Sequence, residues 1–549
     1  MRSNKLFQVF LPVLCFLLII GGGNVAAQDK RTKKEEISIT SSFKPSIVKT
    51  GKLEFQAEAP PKDTTAYKLT YPTLPIQFTT PMSSFVIKPL SFHGNEEQQD
   101  NETVFAKLGF GNLSTPFASL GFTSSKAKEQ FTANADHISS IGKLEDQQYA
   151  HSSLNLGYKN TIAENRVARV YAGFDRQGYR LYGFDRNIYP SFSAADLRQN
   201  FNNFHLGAKY DHLSGENGSM TLMPEFRADF LTASRAQSEF AFKLAFPISY
   251  KINEKLNAGI AIDAQLASLK NGSQSNLSAA LVQVPLSFEY SPSSFNLNGS
   301  IIPVLKSNKI KFVPNLQIDY LMGETGVKLV IGALNKLDIN SLHKLYAVNP
   351  FLVAPDSLTI FQQTDYYAGV EWLNAKGLQL KFIGGYTVFN DLPLFVNGPE
   401  SGKEMQVWNE KQLTAVQLGG EVNYTFTPEM EFRSTIKVYA FGAQLSHIEP
   451  YGLLPLELKF GFLWKPLKGL TTRVNADLWR GALYRTPLTK RLKDAADINL
   501  GVDYKLNKKW ALWVDLNNIA NIQYQRWNQY DAFGFNFIAG LRYSFTKAK

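Results

Sequence analysis

Few residues in this sequence could carry chemistry: seven histidines, one cysteine and carboxylates scattered over 549 positions. None stands in a spacing that assembles a reaction centre. There is no Gly-x-Ser-x-Gly elbow, no phosphate-cradling glycine loop, no His-Glu-x-x-His zinc pair and no calcium-loop spacing. The one local pairing of a base with a hydroxyl is His151-x-Ser153. Two residues apart on a strand, these share a face with Tyr149, Asn155 and Gly157, whereas Leu154, Leu156 and Tyr158 take the other. The pair therefore belongs to a polar surface. Cys15, the only cysteine, lies inside an apolar N-terminal run. A chain that loses that run keeps no thiol for a disulfide, a zinc–thiolate site or a nucleophile. The sequence thus predicts a non-enzyme with no catalytic, cofactor-binding or metal-binding residues.

The elements that carry the polar groups are strands. From about Thr103 to Thr546, apolar and polar residues alternate in segments of roughly 9 to 16 residues. Phe240, Phe242, Leu244, Phe246, Ile248 and Tyr250 fall on one face, and Ala241, Lys243, Ala245 and Ser249 on the other. Leu456, Leu458, Phe460, Phe462 and Trp464 oppose Glu457, Lys459 and Gly461, and Ile498, Leu500, Val502, Tyr504 and Leu506 oppose Asn499, Asp503 and Lys505. Charge recurs only on the second face. A charge aimed at lipid near the midplane costs about 2–4 kcal/mol and one aimed at a wet lumen costs little, so the pattern predicts an all-β transmembrane antiparallel barrel, apolar outside and polar inside. Composition agrees: 40 Phe and 24 Tyr accompany a slightly negative mean hydropathy. Strands of a soluble sandwich run about 5–6 residues and need no aromatic ends. Here Tyr290, Tyr320, Tyr386, Tyr424 and Trp464 are placed at or near strand ends, as an interfacial girdle requires.

About 22 segments are counted, within a range of about 14 to 22. They are separated by turn-like pairs such as Asn271-Gly272, Pro292-Ser293 and Lys508-Lys509. The longest interruptions run from Asp185 to Asn202, Leu337 to Gln363 and Asp391 to Gln412, and could line or constrict the lumen. In the middle one, Asn340 and Ser341 could cap a short helix ahead of Leu342, His343, Leu345 and Tyr346. Polar residues expected to face the lumen are Lys243, Asp263, Glu289, Lys311, Asp319, Lys381, Glu421, Glu457, Lys459, Asp503 and Arg542, with Lys505 and Asp515. Both signs are present, which predicts pairing across the wall or with a plugging segment rather than strong ion selectivity. The net charge is +11, but basic residues are dispersed, so nucleic acid is not an expected partner.

Arg2 and Lys5, the apolar run Leu6 to Ile20 and then Asn24-Val25-Ala26-Ala27 read as a signal peptide spanning 1–27. The run is short for a spanning helix, and no later segment approaches the ~20 apolar residues that one requires. Residues 28–102 carry Pro45, Pro60, Pro61, Pro72, Pro75, Pro81 and Pro89, which favours extended chain without a compact core. This segment is expected to fold back into the lumen, to bind a periplasmic partner, or to be a disordered tether.

The last strand, Phe535-Asn536-Phe537-Ile538-Ala539-Gly540-Leu541-Arg542-Tyr543-Ser544-Phe545, resembles the terminal signal read by the outer-membrane assembly machinery, with Gly540, Tyr543 and Phe545 as its marks. Asn517-Asn518-Ile519-Ala520-Asn521-Ile522-Gln523-Tyr524 resembles the stretch ending the penultimate strand of TonB-dependent receptor barrels, with Ala520 in place of an aromatic. Lys107-Leu108-Gly109-Phe110-Gly111-Asn112 with Thr115-Pro116 resembles the first strand and turn of plugless, receptor-like barrels of Bacteroidota. The resemblance covers about the last 40 residues closely and is architectural elsewhere. It implies the outer membrane of a Gram-negative bacterium, with lipids, lipopolysaccharide and the assembly machinery as partners. The residues before Thr103 are too few and too proline-rich for a plug. The resemblance therefore implies a channel or an accessory component of an outer-membrane transport or assembly complex, meeting periplasmic partners through its N-terminal segment. A TonB-linked uptake receptor with its plug supplied on another chain is the rival. A third reading is a lipid-modifying enzyme, since His151-x-Ser153 is faintly similar to a pair used by small lipid-A-modifying barrel hydrolases.

Overall fold

The computed structural model describes residues 101–548, apart from 190–191, 215–217, 273–275, 307–308, 324, 374–376 and 487. The signal peptide and the proline-rich segment expected over 28–102 lie outside the described residues but for the start of the first strand. From there the alternation becomes a closed antiparallel barrel of 22 strands. Each strand pairs with its sequence neighbours, and Asn101–Gly111 closes the ring against Asn536–Ala548 while pairing on its other side with Thr115–Ser125. Two strands are broken: Ser219–Leu222 continues as Glu225–Ala233, and Leu277–Gln283 as Leu286–Tyr290. Pro224 and Pro285 stand in the gaps, because proline has no N–H to give the ladder.

The long connections all lie at the end opposite the two termini. By the rule that single-chain barrels keep short turns in the periplasm, that is the outer end. The helix expected after Asn340 and Ser341 forms as Leu342–Val348, with the Ser341 side chain accepting from Lys344 N. The interruption expected over 391–412 shortens to 398–404. Leu378–Asn397 and Met405–Thr427 take up the rest of it as the two longest strands, of 20 and 23 residues. Alternation fades there because Leu392, Leu394, Phe395, Val396 and Met405 are all buried, so both faces are apolar and the period-2 signal is lost. As a result Tyr386 sits mid-strand, opposite Tyr366 and Val416, not at a strand end. The strand after the 185–202 interruption likewise begins earlier, at Arg198.

The outward face shows where the bilayer sits. Leu154, Phe174, Phe204, Phe230 and Phe240 form one row across five strands, and two residues further out lies the polar row Ser152, Arg176, Asn202, Thr232 and Ser238. Tyr250, Tyr290, Tyr320, Trp464, Tyr504 and Trp510 stand exposed toward the other end. Ten residues separate Phe240 from Tyr250 on one strand. At ~3.4 Å per residue and a tilt of ~40°, they span about 26 Å, the height of a transmembrane barrel's apolar band.

Candidate functional site

The register puts the polar residues singled out above, Lys505 and Asp515 included, on the wall face opposite the exposed apolar rows. Several are paired within the wall. Asp503 takes Arg473 at 2.5 Å and Arg542 at 3.4 Å, and Asp515 takes Lys107 at 3.5 Å and Arg473 at 3.6 Å. Glu371 takes Lys328 at 2.6 Å and Lys381 at 2.9 Å, and Lys328 also lies 4.0 Å from Asp319. Lys459 is 3.8 Å from Asp477, and Glu289 accepts from Asn257 at 3.1 Å. Lys243 opposite Gln265 and Asp263 opposite Ala245 share one patch, as do Glu421 opposite Lys381 and Glu457 opposite Lys437. Lys311 is exposed on the same face. These are distributed wall charges and do not converge on one point.

Convergence occurs at the outer mouth, where loops from around the ring fold inward. Segment 340–359 is pinned first. Buried Glu239, at the end of a distant strand, accepts the backbone N–H groups of Leu342 at 2.5 Å and His343 at 3.0 Å. A carboxylate at a helix N-terminus satisfies orphan donors and meets the positive end of the dipole. Tyr346 donates to Gln237 at 2.8 Å and packs on Phe201, Gln199 donates to Leu352 O at 2.9 Å, and Met405 N donates to Phe351 O at 2.9 Å. Segment 445–455 is held the same way: fully buried Glu410 accepts from Ser446 N at 2.7 Å and Ile448 N at 3.1 Å.

The loops then meet one another. Phe351 stacks on Tyr530 with ring centroids 3.6 Å apart and planes 13° apart, and Tyr182 meets both rings edge-on. Tyr530 donates to Lys403 O, and Arg235 pairs with Glu404. Tyr182 and Gln147 donate to Asp531 O at 2.7 and 2.9 Å, Asn397 and Asn528 bond at 3.1 Å, and Trp527 packs on Phe395. Together Phe201, Leu231, Leu269, Leu342, Leu345, Tyr346, Leu352, Phe395, Met405, Trp527 and Tyr530 form a buried apolar cluster at the mouth. A small hydrophobic core thus forms at the mouth between the loops and the strand ends. Burial pushes the Tyr182 phenol up to about 12 and the Tyr530 phenol further, so both stay neutral donors. Beside them is a cavity of about 200 Å³ lined by Tyr149, Tyr179, Tyr182, Phe351, Trp527 and Phe533. Arg526 also lines it, donating to Gly452 O at 3.0 Å with its guanidinium 4.2 Å from the Trp527 ring. Burial pushes that guanidinium down to about 10.

His151 and Ser153 lie on the polar inner face, in register with Gln177 and Asp175, and do not bond each other. A different pair meets on the outward face: His137 Nδ1 is 2.8 Å from Ser152 Oγ, and its Nε2 lies 3.3 Å from Ser139 Oγ rather than against a carboxylate. No group of three or more metal-ligating side chains occurs among the described residues. Sequence reasoning missed Glu239 and Glu410, because alternation marks which face a carboxylate takes but not which loop lands on it. Gly540 pairs with Gly109, Tyr543 with Ala106 and Phe545 with Val104 across the closing seam. A Cβ on Gly109 would lie 2.4 Å from the Trp513 ring, over which the Lys107 ammonium sits at 3.7 Å.

No family model matches the sequence, and no curated protein matches it. Solved structures do. The FrpB iron transporter of Neisseria meningitidis superposes with a TM-score of 0.64 at 9% identity over 82% of each chain. The siderophore receptor PirA of Acinetobacter baumannii gives 0.61 at 9% identity over 82% of this chain and 81% of that one. PirA of Pseudomonas aeruginosa gives 0.55 at 12% identity over the same shares. At such identities the likeness is one of fold: this chain is a closed 22-strand antiparallel β-barrel, similar in architecture to these outer-membrane proteins.

Proposed function

We propose that this protein is a non-enzymatic outer-membrane barrel of the transport-receptor type, working as a gated channel or as the channel component of an outer-membrane complex. Residues 28–102 would be its contact with periplasmic partners. The observation that carries this reading is the interlocked mouth. A 22-strand ring is wide enough to need filling, and here the segment Leu342 to Ala354, Trp527 and Tyr530 pack with strand ends into a buried apolar cluster at its outer end, which we read as a seal. A merely structural ring has no need of a seal, whereas a transport barrel must prevent free leakage. The fold likeness to siderophore receptors and an iron transporter supports transport. An energised receptor with its plug supplied in trans would use the same gate.

Planar-bilayer conductance tests this with three purified forms: the mature chain, the chain lacking residues 28–102, and the full chain carrying Phe351→Ala with Tyr530→Ala. The gated-channel reading expects little conductance from the first two forms and large, fluctuating openings from the third. Steady large conductance in all three would make the barrel an open porin. Silence in all three would make it a filled structural component.

A further inference from the structure

The rim at the terminal end carries its charge unevenly. Elsewhere on it no turn of the sequence carries more than one net charge: Glu164 stands with Arg166, Glu254 with Lys251 and Lys255, and there is none in 291–294. Across the seam the charge accumulates. The turn after Leu456–Leu467 with the residues flanking it brings Lys465 and Lys468, the turn before Trp510–Asn517 brings Lys508 and Lys509, and the turn after Thr115–Ser125 brings Lys126 and Lys128. These turns lie along one arc of the ring, because their strands neighbour one another through the closing pair. Six exposed lysines thus face two glutamates, Glu129 and Glu429, and none of the six forms an ion pair among the described residues.

The depth of the arc identifies what it meets. Exposed Trp464, Tyr504 and Trp510 stand on the outward face just inside these turns, the level at which aromatic rings mark the membrane interface. The Lys509 ammonium lies 5.2 Å from the ring of Phe545, itself outward-facing. A lysine with its stem on lipid-facing aromatics and its head just beyond them is snorkelling into the headgroup layer. Building on the outer-membrane placement above, we infer that the arc Lys465, Lys468, Lys508, Lys509, Lys126 and Lys128 is a binding surface for anionic phospholipid headgroups of the periplasmic leaflet. It gathers them along the barrel's closing seam.

Tryptophan quenching by brominated lipid reads this out. Trp464 and Trp510 stand in the arc, while Trp372 lies elsewhere on the rim, in register with Val327 and Leu380. The full-length protein is reconstituted in phosphatidylcholine vesicles containing either brominated phosphatidylglycerol or brominated phosphatidylcholine. Each basic residue near an anionic surface favours it appreciably, so the anionic lipid should associate about 3- to 5-fold more strongly at Trp464 and Trp510. That ratio should fall to about 1 in Lys465→Gln/Lys468→Gln/Lys508→Gln/Lys509→Gln and in high salt. Each turn's pair of substitutions, made alone, should lower it part way, which keeps the test available if the fourfold variant fails to fold. A wild-type ratio of 1, or an unchanged ratio in the variants, overturns the inference and gives the arc to an acidic protein partner. No quenching by either lipid would instead overturn the membrane placement itself.

Discussion

Replacing Glu239 by Gln tests the seal at its anchor. The carboxylate accepts two backbone N–H groups at the start of the helix Leu342–Val348. Hydrogen bonds to a charged group contribute about 1.5–3 kcal/mol each, and a charge at a helix N-terminus adds a few tenths to 1 kcal/mol. Glutamine keeps one acceptor oxygen but turns its amide N–H toward the other donor, so one bond is lost, a buried N–H goes unsatisfied and the charge disappears. The cost to the closed state is about 2–4 kcal/mol, a 30- to 800-fold shift toward the open mouth at 1.4 kcal/mol per tenfold. Hydrogen exchange of the full-length protein in detergent reads that shift. Amides of 342–353 should lose protection by about this factor, while those of the barrel strand Gly384–Phe389 keep theirs. Protection of 342–353 within about threefold of the parent would refute the latch, and equal loss in the strand would show that the substitution damages the barrel and not the gate.

Three further outcomes follow from the same geometry. Burial pushes the His343 imidazole below its ordinary value, the cations Arg227 and Lys344 act in the same direction and the carboxylates Asp229 and Asp175 oppose it, with Glu239 on the backbone N–H of His343. The closed mouth therefore binds fewer protons than the open one. The contribution of neutral His343 is complete above the ordinary value of ~6.5 and is lost as the pH falls from there toward the lower closed-state value. Protection of 342–353, measured relative to the intrinsic exchange rate at each pH, should weaken between pH 7 and 5, and His343→Gln should flatten that profile. Phe351→Ala and Tyr530→Ala, combined in a double-mutant cycle read by the same exchange, should show a coupling of about 0.5–1.5 kcal/mol from the stacked rings; a coupling of zero would mean that the loops close independently. Gly540→Ala would put a Cβ 1.8 Å from Leu108 O across the seam, so the folded, heat-modifiable band on a gel should fall sharply. Normal yield would show that the seam has slack.

Much of this protein is written in period two. Alternation is a local property, imposed residue by residue by lipid on one side and water on the other, so 22 strands, the apolar outer face and the charged inner face were legible from positions such as Phe240 to Tyr250 and Ile498 to Leu506. The helix at Leu342 was legible as well, since Ser341 caps it from one residue away. Where both faces are buried, as from Leu392 to Met405, the local signal vanished and two strands passed for a loop. The mouth was beyond the sequence for a different reason. Glu239 meets Leu342, Glu410 meets Ser446, and Phe351 meets Tyr530 only because ring closure sets where each strand end stands and which loops can reach one another across the opening. No spacing along the chain encodes that distance. The wall and its polarity were set by each residue's own surroundings; the packed cluster at the mouth exists only once the ring has closed.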